Sequence, residues 1–553
     1  MSTTTGIKPF LKKETPTSLE RQVVDEFIEH ARTLAKLPSP SQMEQMLLSE
    51  IRNRIDNRNN SANKDDLWSK PSRLSPWQIA ALMIEFDHVR SIKFVSKSRV
   101  RENDLLGMYQ PNGKNKGLYV YDENDVKQRI AEYSASIRGR EVDEAYAFLK
   151  LFAPAVERCA DIDLIPVNNG IFNYKTKKLQ AFSPEYVFLS KPWVDYDPTI
   201  NNVHITMPDG EVWDCESWMQ SLVNDNEQLQ FHWELISAVL RPNVPWNKSV
   251  LMYSTHGNNG KGSLIELMRN LVGYDSYASI PLNQMSEQFA LAPLLHAQAI
   301  LVDENDVGTY VDKCSQFKLI VTGDDLAINR KHKSIITAPF RGMMIQCVNE
   351  YPRFKDRSES LMRRIIIDPF EKQFTGVERK YIKEDYLQRE DVLKYFLKRA
   401  LESDFYELSE PQICKDALVG YRTYSDPVAE FWDDVKGELV WDMQPFAWLY
   451  ELYKKWHECT HPKASSMIPS RAFREKIAEV ATADGKWECP GIDKTVRPSQ
   501  MHSMAGTETL ILTYGVESFM NPHYVGKDSD KVCDFPRKEA YKGCLLRVPA
   551  VSD

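Results

Sequence analysis

No stretch of this 553-residue chain reaches the ~18 uninterrupted apolar residues that a membrane helix needs. That excludes a spanning helix and predicts no membrane partner. The nine cysteines form no C-x-x-C pair, and the opening MSTTTGIKPFLKKETPTSLE has no apolar segment of the kind that directs secretion. A reducing cytoplasm is the expected setting. There is no internal repeat and no low-complexity tract. The net charge of -8 excludes a surface coated throughout with nucleic acid, so any such contact must be local. In WHECTHPK, the trio His457, Cys459 and His461 lacks the second ligand pair of a structural zinc site, which predicts a helix-end cluster and no structural metal.

What is present is a globular composition, 42% hydrophobic and 27% charged, on a chain long enough for roughly three or four domains. Leu19, Val23, Phe27, Ala31 and Leu34 recur at helical spacing, and helical character continues to Ile55. This predicts a helical domain over residues 1–75, closed by the polar stretch DNRNNSANKDDLWSKPSRLSP. Residues 76–245 read as an α+β domain: a hairpin signal in GMYQPNGKNKGLYVY, a helix in DENDVKQRIAEYSASI, short strands from DLIPVNNG onward, and a helix in NEQLQFHWELISAVL stopped by Pro242. From 246 to 400, short apolar strands alternate with helices, the pattern of a parallel α/β sheet. Over 401–553, FAWLYELYKKWHECT, IPSRAFREKIAEV and TETLILTYGV predict helix, helix, strand, the order of a winged-helix domain.

Chemistry concentrates in the α/β segment. After the apolar run SVLMYS comes HGNNGKGSLIEL, in which Gly257, Asn258, Asn259, Gly260, Lys261, Gly262 and Ser263 have the grammar of a phosphate loop. Backbone amides cradle phosphates, a lysine neutralises them, and a hydroxyl ligates Mg²⁺. The usual string has a glycine at the place of Thr255 and a hydroxyl at the place of Gly262; Ser263 comes one position late. A glycine-rich strand-to-helix turn is the plain alternative.

About forty residues on, AQAILVDEND ends an apolar strand in Asp303 and Glu304. One carboxylate there can join Ser263 in holding Mg²⁺, and the other can orient the attacking water; a solvated acidic loop is the alternative. A third strand, RGMMIQCVNEYP, ends in Asn349, which is either a γ-phosphate sensor or a turn before Pro352. RRIIIDPF offers Arg363 and Arg364 as a candidate arginine finger for a neighbouring subunit's nucleotide, Arg363 ahead because strand alternation would turn Arg364 inward. Between the second and third strands, TGDDLAINRKHKSIITAPF predicts a hairpin whose tip carries Arg330, Lys331, His332 and Lys333, positioned for DNA phosphates or for solvent. Lys318, one turn before Gly323, is a further candidate and otherwise an exposed helix lysine.

Taken in order, GNNGKGS, ILVDEND, TGDDLAINRKHK, MMIQCVNEYP and RRIIIDPF resemble the motifs of superfamily 3 helicases, more narrowly the phage and plasmid primase-helicase branch related to poxvirus replication NTPases. RKHK is similar to the hairpin of papillomavirus initiator helicases. The resemblance covers roughly residues 100 to 480. It implies an AAA+ P-loop core between the preceding domains and a C-terminal winged helix, with ATP and Mg²⁺ as cofactors and a homo-oligomer, expected as a hexamer.

Lys331 and His332 would touch single-stranded DNA in the ring, and forked DNA would be unwound 3′ to 5′ in the cytoplasm of a host carrying a phage or mobile element. Arg471, Arg474 and Lys476, on a helix expected to be capped by Ser470, could grip origin duplex DNA or simply pack. No room for a primer-synthesising domain is evident in the first hundred residues. Two rivals stay open: an origin-binding initiator that uses ATP as an assembly switch, and an AAA+ protein remodeller or defence ATPase, which the cationic hairpin disfavours.

Overall fold

The computed structural model describes residues 15–95, 104–356, 358–376, 379–424, 426–460, 467–483, 485–520, 523 and 538–548. The chain divides into two compact units, one formed by residues 1–352 with 363–413, the other by 353–362 with 414–553.

The first unit opens with helices Pro16–Arg32, Pro40–Asn59 and Pro76–Phe86. Each starts the same way: Thr15, Ser39 or Ser75 caps reciprocally with the residue three positions on, and a proline takes the first helical position, where its missing N–H costs nothing. Their apolar faces (Leu19, Phe27, Leu47, Ile51, Ile79) share one core with Leu106, Met108, Val126, Tyr133 and Leu149. The boundary expected near Ser75 is therefore no break in the core, because the helix that Ser75 caps buries residues against both sides of it. The predicted hairpin is present, Leu105–Tyr109 pairing antiparallel with Tyr119–Val120, and the helix Glu123–Glu132 follows. Leu164–Val167, Gly170–Asn173 and Lys178–Gln180 form the small antiparallel sheet the turn signals required.

The rest of the first unit is the α/β segment. Helix α1 (Asn226–Leu240) leads to strand β1 (Ser249–Tyr253), helix α2 (Lys261–Val272), β2 (Tyr277–Ala278) and β3 (Ala299–Val302). Then come helix α3 (Cys314–Thr322), the strands β4 (Asp325–Arg330) and β5 (Lys333–Pro339), and the core strands β6 (Met343–Val348) and β7 (Ile365–Pro369). Helices α4 (Lys380–Glu384) and α5 (Glu390–Leu401) close it. The sheet order is β2-β3-β6-β1-β7, with every pairing parallel. Continuous burial along β1, β3 and β6 is what a sheet covered on both faces demands. Because all strands run the same way, their C-terminal ends, and the loops that carry the motifs, gather on one edge.

The second unit has an aromatic core built from Trp432, Trp441, Trp448, Trp456 and Trp487 with Phe431, Tyr453 and Phe473. Helices α6 (Pro427–Val435), α7 (Phe446–Thr460) and α8 (Ser470–Thr482) pack with a sheet in the order Met443–Pro445, Cys544–Arg547, Trp487–Glu488. Two expectations need correction here. TETLILTYGV holds a short helix, Leu510–Thr513, and no strand. Adjacent Leu510 and Ile511 are both buried, which one helical turn can do on a single wall, whereas strand neighbours point to opposite faces. Ser470 is the first helical residue; the cap position is Pro469, which makes no side-chain capping bond. His457 is buried beside Tyr453, ring centroids 5.6 Å apart, and Cys459 is exposed, while His461 lies outside the described residues. Among the described residues, no helix is long and apolar enough to cross a membrane.

Candidate functional site

The loop from Ser254 to Lys261 joins the end of β1 to the start of α2. Two of its residues turn through left-handed backbone, Asn258 at φ 53 and Gly260 at φ 91, and Gly260 is the N-cap of α2. That φ favours glycine at 260, and a Cβ there would also push on the end of the Leu222 side chain, 2.6 Å from its Cδ2. The buried Asn259 side chain tightens the turn, its amide donating to the His256 carbonyl and its Oδ1 accepting from the Lys261 amide at 3.3 Å. Phe374 N donates to Asn258 O at 2.8 Å, fastening the chain after β7 over the loop. The amide of Gly262, in the first turn of a twelve-residue helix, has no carbonyl four residues back within the helix, so it faces outward with the positive end of the helix dipole.

Lys261 is 5% exposed, and its Nζ donates to Asn349 Oδ1 at 3.1 Å and to Ser254 O at 3.4 Å. Burial holds this ammonium below the ordinary lysine value, with Cys347 and Asp303 acting the other way. Asn349 follows β6, which lies between β1 and β3, so the loop lysine and the third-strand amide meet because their strands are neighbours. Asp303 follows β3 on the other side. A Cβ placed on Gly262 would stand 2.8 Å from Asp303 Oδ1 and 3.3 Å from Oδ2. The glycine where a hydroxyl residue was expected is thus the space into which the carboxylate fits. Glu304 is exposed next to it, and Ser263 is half-buried one residue further along α2.

Three neighbouring strand ends therefore bring together Lys261, Gly262, Asp303 and Asn349. Arg363 and Arg364 are not among them. They precede β7, and the Arg364 carbonyl accepts from Ser249 N at 2.7 Å at the start of β1, which is the opposite edge of the sheet, about one five-residue strand or ~16 Å away. Within one chain neither arginine serves this loop.

The basic hairpin is present. β4 and β5 pair antiparallel, with Arg330 opposite Lys333 and the tip reduced to Lys331 and His332, the latter at φ 58. Lys331, His332 and Lys333 are exposed. Arg330 departs from the expectation: it is half-buried, its Nη2 donates to Ser334 O at 3.1 Å, and burial lowers its guanidinium below the ordinary arginine value while Tyr121 and Tyr146 oppose the shift. It braces the hairpin instead of extending it. Lys318 lies on α3, which ends in Gly323 at φ 66. On α8, Arg471 is 91% exposed with Nε 3.4 Å from Glu475, Arg474 is half-buried, and Lys476 pairs with Glu479 at 3.0 Å and Asp426 at 3.4 Å.

Several residues that sequence reasoning passed over support this site. Asn305, 5% exposed, donates to Gln346 Oε1 and Cys347 O, both at 3.0 Å, and accepts from Leu282 N, so it locks the chain after Asp303 onto β6. An amide within the apolar run MMIQCV was the available signal. Under the loop, His232 and Gln228 of α1 bond the fully buried Asp368 of β7 at 2.9 and 2.8 Å. Lys383 of α4 lies 3.5 Å from Asp303 Oδ2, and nothing in its local sequence marks it.

The donor set suits a triphosphate with a hard divalent cation: a buried ammonium, an outward amide at a helix start, and a carboxylate seated beside a glycine. Comparison with known proteins adds three matched regions. Residues 252–364 match a family of unknown function (DUF5906), residues 102–224 a family described as D5 N terminal like, and residues 423–502 one described as Poxvirus D5 protein-like. The chain is thus D5-like on both sides of the strand–loop–helix segment. It is also similar to solved apo structures of the NrS-1 C terminal region. One has 12% identity and a TM-score of 0.38, over 74% of this chain and 86% of that chain. A second has 11% identity and a TM-score of 0.41, over 77% of this chain and 97% of that chain.

Proposed function

We propose that this protein is an ATP-dependent DNA helicase of viral replication type, a superfamily 3 AAA+ ring that draws single-stranded DNA through its centre. The observation that carries the reading is the meeting of Lys261, Asp303 and Asn349 at adjacent strand ends, on the same sheet that extends the basic hairpin from between β3 and β6. The D5-like matches on either side favour a replication enzyme.

In this reading Gly257, Asn258, Asn259, Gly260 and Gly262 wrap the phosphates with backbone amides, and Lys261 neutralises them. Asp303 and Ser263 would hold Mg²⁺, which supplies charge neutralisation at the phosphate oxygens. Glu304 orients the attacking water and takes its proton. Asn349, already bonded to Lys261, reports the terminal phosphate to β6. Arg363 or Arg364, at the far edge of the sheet, serves the nucleotide of a neighbouring copy, which is why a hexameric ring is part of the proposal. Lys331, His332 and Lys333 at the hairpin grip phosphates without reading bases, so movement tolerates any sequence and weakens with salt. The polarity proposed is 3′ to 5′. The second unit is proposed as a winged helix whose Arg471 contacts duplex DNA at the fork.

A forked duplex with a labelled strand tests this. Strand release that needs ATP hydrolysis and is lost in Lys261→Ala and Glu304→Gln supports the motor. Binding to the fork without release overturns it in favour of an origin-binding switch.

A further inference from the structure

Lys383 sits where no motif would have placed it. Its ammonium is 3.5 Å from Asp303 Oδ2, and 3.3 Å from the position a Cβ on Gly262 would take. Both side chains of this pair are more than a third exposed, 41% and 36%, and such pairs contribute little to stability. Fold stability therefore gives little reason for the lysine. The separation also exceeds the ~2.7–2.9 Å of a charge-assisted hydrogen bond, so the two groups face each other without locking.

The helix that carries Lys383 has surface ion pairs of its own on both sides. Arg379 at its start bonds Asp209 at 2.9 Å and Glu211 at 2.7 Å. Just past its end, Asp385 pairs with Arg389 at 2.7 Å, and Asn270 of α2 donates to Leu387 O at 3.1 Å. The chain just past α4 is thereby joined to the helix that begins with Lys261, and Lys383 reaches toward the loop on a four-carbon side chain. Lys261 approaches from the buried side, and Lys383 from the solvent side.

We propose that Lys383 is a second cation of the nucleotide site, supplied by the same chain: it neutralises Asp303 when no divalent cation is bound, and moves to the terminal phosphate of a triphosphate once one is. This rests on the ATPase reading above. Lys383 then distinguishes a triphosphate from a diphosphate, because only the longer ligand offers an oxygen within its reach beyond the Asp303 carboxylate.

The test is calorimetric binding of a non-hydrolysable ATP analogue and of ADP, each with Mg²⁺, to wild type, Lys383→Met and Lys383→Arg, with thermal midpoints confirming folded protein. Lys383→Met is expected to reduce the preference for the triphosphate about tenfold, the value of one charge-assisted hydrogen bond, while Lys383→Arg keeps it. Without nucleotide, Mn²⁺ should bind Lys383→Met about threefold more tightly, since a competing exposed ammonium is gone. An unchanged triphosphate preference in Lys383→Met, or an equal loss of both nucleotides, overturns the proposal and leaves the ATPase reading standing. Failure of wild type to bind either nucleotide overturns the ATPase reading itself.

Discussion

At position 262 the absence of a side chain gives the Asp303 carboxylate its place. A methyl group there would meet a carboxylate oxygen of Asp303 at 2.8 Å, so Asp303 must move or the turn must open. Gly262→Ala is expected to lower ATP turnover by about tenfold to a hundredfold, since sub-ångström displacement of reacting groups has effects of that size, with little change in thermal midpoint. Turnover at the wild-type level would show that Asp303 does not act from this position. In the sequence, Gly262 reads as an irregularity of the motif; its reason is a residue some forty positions away that no local pattern connects to it.

Lys191 makes a different residue-scale point. It is 1% exposed, and its Nζ donates to Asn168 O at 3.1 Å and Oδ1 at 3.0 Å, with burial lowering its value to about 8. Below about 8 both folded and unfolded chains hold the proton, and the folded state bears the whole cost of burying the charge. Above it the unfolded chain holds the proton more tightly, so stability rises with pH until the ordinary lysine value is passed. Urea midpoints at pH 7.5 and 10 should show wild type gaining on the order of 1–3 kcal/mol more than Lys191→Met over that interval. Parallel curves for the two proteins would refute the assignment.

Among elements, the hairpin β4–β5 was the most legible insertion, because a run of basic residues between two β-prone segments has no core to enter. Its division of labour was not legible. Lys331 and Lys333 are exposed, whereas Arg330 packs near Tyr121 and Tyr146, which belong to a part of the chain nearly two hundred residues earlier. Lys331→Ala should reduce the slope of log affinity against log salt for single-stranded DNA by about one. Arg330→Ala should leave that slope nearly unchanged and lower the thermal midpoint, as expected when a half-buried brace is removed. Equal slope changes in both variants would return Arg330 to the DNA-facing set. The short helix Leu510–Thr513 shows the opposite limit: the Thr, Ile, Tyr and Val of TETLILTYGV favour a strand locally, and burial of Leu510 and Ile511 in the Trp-rich core decides for a helical turn.

For the whole molecule, Arg363 and Arg364 lie at the sheet edge away from the glycine loop, so in the proposed mechanism either would act on the nucleotide of another copy. Mass photometry with an ATP analogue and forked DNA should then find a hexamer, about six times the 63.9 kDa chain. Arg363→Ala with Arg364→Ala should lower turnover while nucleotide binding to the isolated chain persists. Particles that stay at the mass of one chain would remove the arginines from the mechanism.

By itself the sequence determined the succession of strands, the glycine loop after β1, the acidic pair after β3, the amide after β6 and the basic tip, because each depends on residues within a turn or a strand of one another. The caps at Thr15, Ser39 and Ser75 join residues only three apart as well, although the sequence reading did not single them out. Tertiary structure alone decided that Asn349 meets Lys261, that Gly262 makes room for Asp303, that Arg330 turns inward and that Lys383 returns to the loop. Those encounters arise from the lateral order of parallel strands and the return path of the chain after β7, and sheet order is set by burial summed over the whole core, to which no short segment has access.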